Sequence, residues 1–324
     1  MNLKNANQNN MLKKITLLLF VLTVGSVQAQ TDTLVAAVKD TTWQAGGLLA
    51  LSFNQTTLTN WAAGGQNSVA LSGVGAFYLK YRKDSKSWET NLDLAYGLIK
   101  QDGNDFQKND DRIELNSKYG YKAFHSSHWY YTALLNAKTQ FTEGYNYPND
   151  SVVISNFAAP AYGIFSLGLD YKPTKYFNVF VSPLTAKLTF VNDQTLADEG
   201  AFGVDPAEFD PVTNVKVKDG STLRTEFGAY LNARFQKDIM TNVNLMAKLD
   251  LFSNYENNPA NIDVNFDLLL GMKINKLITV SIGVTVIYDD DIMIQDGEIA
   301  PGVPKVGPRT QLRQTFGVGL AKKF

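Results

Sequence analysis

Cysteine is absent from the 324 residues, and histidine occurs only twice. The first absence excludes a disulfide framework, a thiolate metal site and an acylated lipoprotein N-terminus. The second leaves little for nucleophilic hydrolysis, which commonly sets a histidine base beside a serine. An excess of positive charge is also missing. Lys plus Arg number 30 and Asp plus Glu 31, so there is no basic footprint for nucleic acid. After residue 29 the chain also lacks any run near the ~20 uninterrupted apolar residues of a spanning helix. A mature chain that enters a membrane must then do so as strands closed into a barrel.

The strong apolar run that is present comes early. Lys13 and Lys14 precede Ile15 to Val27, and Val27-Gln28-Ala29 follows as a small-residue cleavage site. This is the plan of a secretory signal peptide, predicted over residues 1–29, with the mature chain starting at Gln30 and a short periplasmic segment over 30–43. The polar residues 1–10 lie outside that plan, which makes Met11 an alternative start.

From residue 44 the chain alternates. Even positions from 262 to 274 read Ile262, Val264, Phe266, Leu268, Leu270, Met272 and Ile274, against Asp263, Asn265, Asp267, Gly271 and Lys273. A period of two puts one set on each face of a sheet. The same inversion recurs at 223–235 and 88–98. Carried through, it predicts strands near 44–56, 68–82, 87–101, 109–122, 128–142, 160–172, 175–191, 221–236, 239–253, 261–275, 277–289 and 311–324. The expected fold is all-β: a single transmembrane antiparallel up-and-down β-barrel of about 12 strands over 44–324. In the seventh strand the apolar face passes from Phe177, Val179 and Val181 to Leu184, Ala186, Leu188 and Phe190, a slip at Ser182-Pro183 that predicts a β-bulge.

Three further patterns agree. Links alternate between short, around Asp84-Ser85, Phe124-His125, Pro173-Thr174, Lys237-Asp238 and Asn275-Lys276, and long, at 57–67, 102–108, 143–159, 192–220, 254–260 and 290–310. A barrel with both termini in the periplasm shows that asymmetry. Aromatic residues gather at strand ends, as amphipathic rings do at membrane interfaces: Tyr81, Trp88, Tyr121, Trp129, Tyr171, Phe177, Phe235 and Phe324 at the short-turn side, Phe141, Phe190, Tyr255 and Tyr288 at the other. The terminal Phe324, with Gly319 five residues before it, resembles the signal read by the outer-membrane barrel-assembly machinery, although Lys322 stands where a bulky apolar residue is usual. Outer-membrane location follows as the expectation, with outer-membrane lipid, lipopolysaccharide and that machinery as partners.

Certain words also resemble a family. Asn60-Trp61-Ala62-Ala63-Gly64-Gly65-Gln66-Asn67-Ser68, Asp93-Leu94-Ala95-Tyr96-Gly97, Lys138-Thr139-Gln140-Phe141 with Gly144-Tyr145, and Ile154-Ser155-Asn156-Phe157 to Pro160-Ala161-Tyr162 stand in order along the chain. With Ser182-Pro183-Leu184-Thr185 and Gly200-Ala201-Phe202-Gly203 they are similar to a domain-of-unknown-function family of outer-membrane β-barrel-like proteins of Bacteroidetes. The resemblance implies an exported barrel and no established activity, so it brings no functional residues.

The inward face is predicted to carry Glu89, Asp93, Glu114, Asp170, Glu226, Asp250, Asp263 and Asp267 against Arg112, Lys118, Lys138, Lys187, Arg224, Arg234, Lys248 and Lys273. Such a balance fits an internal network that satisfies a polar interior, since unpaired buried charge is costly. It also fits a narrow aqueous pathway of weak ion selectivity for a small solute. Catalysis is not expected: His125 and His128 fall at a short turn, away from the face where a membrane lipid hydrolase would meet its substrate. No cofactor or metal is expected either. Asp289-Asp290-Asp291, with Asp296 and Glu298, lacks the calcium-loop spacing and reads as a solvated acidic loop. Asn60-Trp61 beside Gly64-Gly65 reads as a structured turn, with a ligand contact at the barrel mouth as the alternative. The apolar 152–160 stretch is expected to fold inward as a constriction or plug, and 192–220 to fold inward likewise or cap the outside.

Overall fold

The computed structural model describes residues 42–57, 67–101, 103–124, 128–147, 149–275, 278–300 and 303–323. The expectations for the leader and most of the 30–43 segment, and for Asn60, Trp61, His125 and Phe324, fall outside those residues.

Twelve strands form one closed antiparallel barrel in simple up-and-down order. They are β1 (Trp43–Thr56), β2 (Ser68–Lys83), β3 (Lys86–Gln101), β4 (Gln107–Lys122), β5 (Trp129–Thr139) and β6 (Ala161–Thr174), then β7 (Phe177–Phe190), β8 (Leu223–Met240), β9 (Val243–Asn254), β10 (Ile262–Lys273), β11 (Ile278–Tyr288) and β12 (Gln311–Lys323). Each pairs with its neighbour in sequence, and β12 returns to β1. Register follows the alternation: Lys248 stands opposite Asp267 and Leu249 opposite Phe266, so polar pairs share the inner face and apolar pairs the outer. A slip of one residue would invert both faces.

The predicted bulge is present. Leu167 pairs with Leu184 and Leu169 with Val181, so Ser182 and Pro183 together oppose Gly168. The register against β8 shifts at the same level, between Gly228 and Tyr230. The Ser182 hydroxyl lies 2.8 Å from the carbonyls of both Leu167 and Leu184, so it bonds to the backbone on both sides of the bulge.

Two turns differ from expectation. β8 runs on through Lys237 and Asp238, which pair with Leu245 and Asn244, and the chain reverses at Thr241-Asn242. Asn242 takes a left-handed φ of 64°, which asparagine tolerates better than lysine or a β-branched residue. Likewise β6 includes Pro173 and Thr174, and the turn falls at Lys175-Tyr176. The long connections carry structure that the alternation did not announce. Two-stranded ribbons pair Gly144–Tyr145 with Val153–Ser155, Glu208–Phe209 with Lys216–Lys218, and Met293–Ala300 with Val303–Pro308.

Helix α1 (Gln194–Asp198) starts at Asp193, whose carboxylate accepts from the Thr195 and Leu196 amides, the usual N-cap arrangement. Leu196 and Ala197 pack with Ala159, Val191 and Val204, and Ala201 and Phe202 close over them. The 192–220 connection is thus a small folded cap with its own core. The 152–160 stretch does not fold inward as a constriction: Val152, Ile154 and Phe157 are exposed, and Ala159 is its buried residue in that core. The short ribbon and the link from the Gln140 amide to the Asn156 carbonyl (2.8 Å) hold the larger side chains outside.

Candidate functional site: the barrel interior

Glu114 on β4 and Lys248 on β9 meet inside the barrel, Nζ to Oε1 2.7 Å. The Asn136 amide donates to the same oxygen at 3.1 Å. Lys248 also lies 3.2 Å from Asp250, which accepts from the Asn232 amide at 2.7 Å and from the Tyr230 hydroxyl. Lys118 donates to Asn232 Oδ1 at 2.6 Å and lies over the Phe180 ring. Charge withdrawn from water persists where each group is paired, and these contacts form a chain of such pairs. Asp93, Arg112, Lys138 and Arg234 act electrostatically on this layer, and the Arg112 Nε is buried without a hydrogen-bond partner.

A second layer lies nearer the long loops. Lys187 on β7 reaches Asp263 on β10 at 2.6 Å, with Glu226 and Asp289 each at 3.5 Å. Arg224 donates to Glu226 at 3.1 Å, to the Gly203 carbonyl at 3.1 Å and to Asp291. Asp289 and Asp291, expected in a solvated acidic loop, therefore turn inward. Asp263, Asp289 and Asp290 bring their carboxylates within 4.8 Å of one another, and the Lys187 ammonium supplies the countercharge there.

The remaining predicted residues stand apart from these layers. Asp170 pairs with Lys172 and Asn178, both at 3.2 Å, Glu89 pairs with Lys80 at 3.1 Å, and Asp267 accepts from the Thr285 hydroxyl at 2.7 Å. Lys273 is exposed at the short-turn end of β10. His128 meets Tyr171 edge-on with ring centroids 6.4 Å apart. Tyr230, Asn232, Asn136 and Asn254, whose amide donates to Glu226 at 3.1 Å, belong to the network and were missed. Parity alone would have found Tyr230 and Asn232, which share the inner face of β8 with Glu226 and Arg234.

The interior is filled on one side. Leu134 and Phe180, both 0% exposed, pack with Tyr230 and Phe252, and Ile164 joins them. With them Ser166, Thr185, Thr189 and Asn232 are buried, all on β5 to β9. Among the described residues none on β10, β11 or β12 is buried, and on β1 and β2 only Gly47 and Gly75 are. The wall there carries many small side chains: Ala50, Ser52, Ser72, Thr279, Ser281, Gly317 and Gly319 line a cavity of about 60 Å³ with Leu51 and Val74. Leu48, Val74 and Leu269 also point inward by parity and are 37%, 39% and 39% exposed. On β3, Ser87, Ala95 and Gly97 are buried as well, so the packed wall runs from β3 to β9, and a second ion pair, Asp110 on β4 with Arg313 on β12 at 2.7 Å, crosses to the more accessible wall.

The folded cap is tied down by charge outside the barrel. Asp198 accepts from Lys216 at 2.7 Å, from the Gln194 amide at 2.7 Å and from the Gly220 amide at 2.8 Å. Those donors, Lys216 first, lower its carboxyl to about 2. Asp198 and Asp219 in turn raise the Lys216 ammonium to about 12.

Residues 53–145 match a protein-family model described as "Protein of unknown function (DUF3078)". No curated protein matches the chain. Among solved structures, an outer membrane channel from Pseudomonas putida F1 aligns at 11% identity and a TM-score of 0.38, over 86% of this chain and 94% of that one. The translocator domain of the autotransporter NalP from Neisseria meningitidis aligns at 9% and 0.35, over 89% and 90%. OmpF of Salmonella typhi in complex with daunomycin aligns at 10% and 0.27, over 87% and 97%. The fold stands on the closed strand order, and the sequence match over 53–145 is to a family model without an assigned activity.

Proposed function

We propose that this chain is a non-enzymatic, narrow channel of a Gram-negative outer membrane, of the Bacteroidetes kind that its sequence words resemble, exported by its leader and taking up a small solute. The observation that carries the reading is the one-sided interior. A barrel built only for shape gains by filling its whole lumen, because apolar burial and dispersion both reward it. Here the buried residues of the wall cluster on β3 to β9, and the wall of β10 to β2 carries mainly small side chains with a few partly exposed aliphatic ones, Leu48, Val74 and Leu269. A closed apolar outer face supports membrane placement, as do the rings at the short-turn end. Trp43 and Tyr81 have centroids 4.8 Å apart, and Trp129 and Tyr171 4.6 Å.

The second reading is a closed structural or adhesive barrel. It is favoured by the same brace, which crosses the lumen with direct protein contacts, and by the cap packed over the long-loop end. Reconstitution of heat-modifiable folded protein, followed by planar-bilayer recording and liposome swelling, separates the two. The channel reading predicts a small conductance with weak ion selectivity and swelling by small neutral solutes. Silence in both assays would contradict it and leave the closed barrel.

A further inference from the structure

Barrel closure is uneven. β1 and β2 are in register over 14 pairs, Trp43–Thr56 against Tyr81–Ser68, and β11 and β12 over 10. The closing ladder between β1 and β12 has five, from Leu48 opposite Lys323 to Ser52 opposite Gly319. Beyond Ser52 the two strands part. Phe53 to Thr56 stay paired to β2, and Thr315 to Val318 stay paired to β11, but not to each other. The fork falls at Gly317-Val318-Gly319. At Gly319 the strands are so close that an added Cβ would lie 2.3 Å from the Leu51 carbonyl oxygen. The Thr279 hydroxyl steadies that last pair through the Gly319 carbonyl at 3.4 Å.

A split edge is costly in a hydrocarbon environment, where unpaired N–H and C=O groups find no water. Retaining one demands something that serves both sides of it. The lumen side of the fork is a small cavity in which the hydroxyls of Ser52, Ser72, Thr279 and Ser281 stand among Ala50, Leu51 and Val74. The outer side is apolar, with Phe53 and Phe316 exposed by 60% and 68%. The nearest charged side chain above it on the inner face, Arg313, is engaged by Asp110 at 2.7 Å. We infer that the β1–β12 seam is a lateral portal between lumen and bilayer for a neutral single-chain amphiphile, a molecule of the monoacylglycerol class. Its hydroxylated head replaces ladder partners at the fork while its alkyl chain leaves between Phe53 and Phe316. The inference rests on the channel reading and names the class of solute and its exit.

The test uses the full-length mature protein in bilayers and a monoacylglycerol carrying a photoactivatable diazirine on its chain. Labelling concentrates on the peptides holding Phe53–Thr56 and Thr315–Val318. A disulfide between cysteines replacing Phe53 and Val318, the next positions in register, closes the fork and lowers that labelling about tenfold, and reduction restores it. A second pair, Gln55→Cys with Phe316→Cys, gives the same result if the first variant fails to fold. Labelling spread evenly over the outer faces of β4 to β6 as well, or unchanged by the disulfide, overturns the portal. Conductance measured on the same preparation keeps the two failures apart: a conducting barrel without seam labelling loses the portal alone.

Discussion

Lys248 and Glu114 are 134 residues apart in sequence and lie on strands β9 and β4, yet their charged atoms are 2.7 Å apart across the lumen. No neighbouring-strand register can produce that contact. It forms because a twelve-stranded circle brings β4 and β9 to facing walls at a distance that a lysine and a glutamate together can span. Each also holds a second partner, Asn136 for Glu114 and Asp250 for Lys248.

Lys248→Met removes the cation that contacts both Glu114 and Asp250. Removing one partner of a buried ion pair costs about 3 to 5 kcal/mol. The urea midpoint of the folded barrel should fall accordingly and the single-channel conductance should rise, both read on one detergent-purified preparation. A variant as stable as the parent and of equal conductance would mean that the brace neither supports nor narrows the barrel.

Gly168 opposes the bulge at Ser182-Pro183, and an added Cβ would lie 2.1 Å from the Val181 carbonyl oxygen. Backbone must move to admit even a methyl group, and forced overpacking costs about 1 to 3 kcal/mol. Gly168→Ala should therefore refold into detergent with a lower yield of the heat-modifiable form than Gly163→Ala, whose added Cβ meets only the Leu188 side chain at 3.6 Å.

The cap tether has a defined pH window. Asp198 titrates near 3.8 when free and near 2 in the cap, so its contribution is present above about 4 and is lost as pH falls through 2. Lys216 titrates near 10.5 when free and near 12 in the cap, so its contribution is present below about 10.5 and is lost as pH rises through 12. Hydrogen exchange in the 208–218 ribbon, taken relative to the intrinsic rate at each pH, should be flat between these limits and rise outside them. Asp198→Asn should raise it at neutral pH. A ribbon equally protected in that variant would show that packing, not charge, holds the cap.

The short-turn rings report membrane position. Trp43 packs near Trp88, with centroids 6.2 Å apart, and Trp129 stacks with Tyr171. In a Trp61→Phe variant these three indoles are the remaining tryptophans. Interfacial rings are quenched more by lipids brominated near the headgroup than by lipids brominated near the chain end. Equal quenching by both, or none, would remove the rings from the interface.

Much of the fold was legible because a strand's period is a local property. Alternation located twelve strands, and the change of parity at Ser182-Pro183 located the bulge before any partner was known. Turns were less legible: Lys237-Asp238 looks like a turn by polarity, but the left-handed residue is Asn242. The interior was legible only as a list. Charges on the inner face of β4 and of β9 carry no sign that they will meet, because partner choice depends on closure. Asp289 and Asp291 belong to the network through a reversal after β11 that no period marks. Nor does the alternation separate the packed half from the open one. Thr185 and Ser281 are equally small and polar, and they differ in whether Phe180 and Leu134 share their side of the barrel.

That last contrast is the most direct test of a one-sided lumen. In a chain without cysteine, Ser281→Cys and Thr185→Cys each present a single thiol to a water-soluble, membrane-impermeant methanethiosulfonate during bilayer recording. The one-sided interior predicts rapid modification and loss of current at position 281, with an unreactive thiol and unchanged current at position 185. Equal reactivity at both positions, or modification at 185 alone, would contradict it.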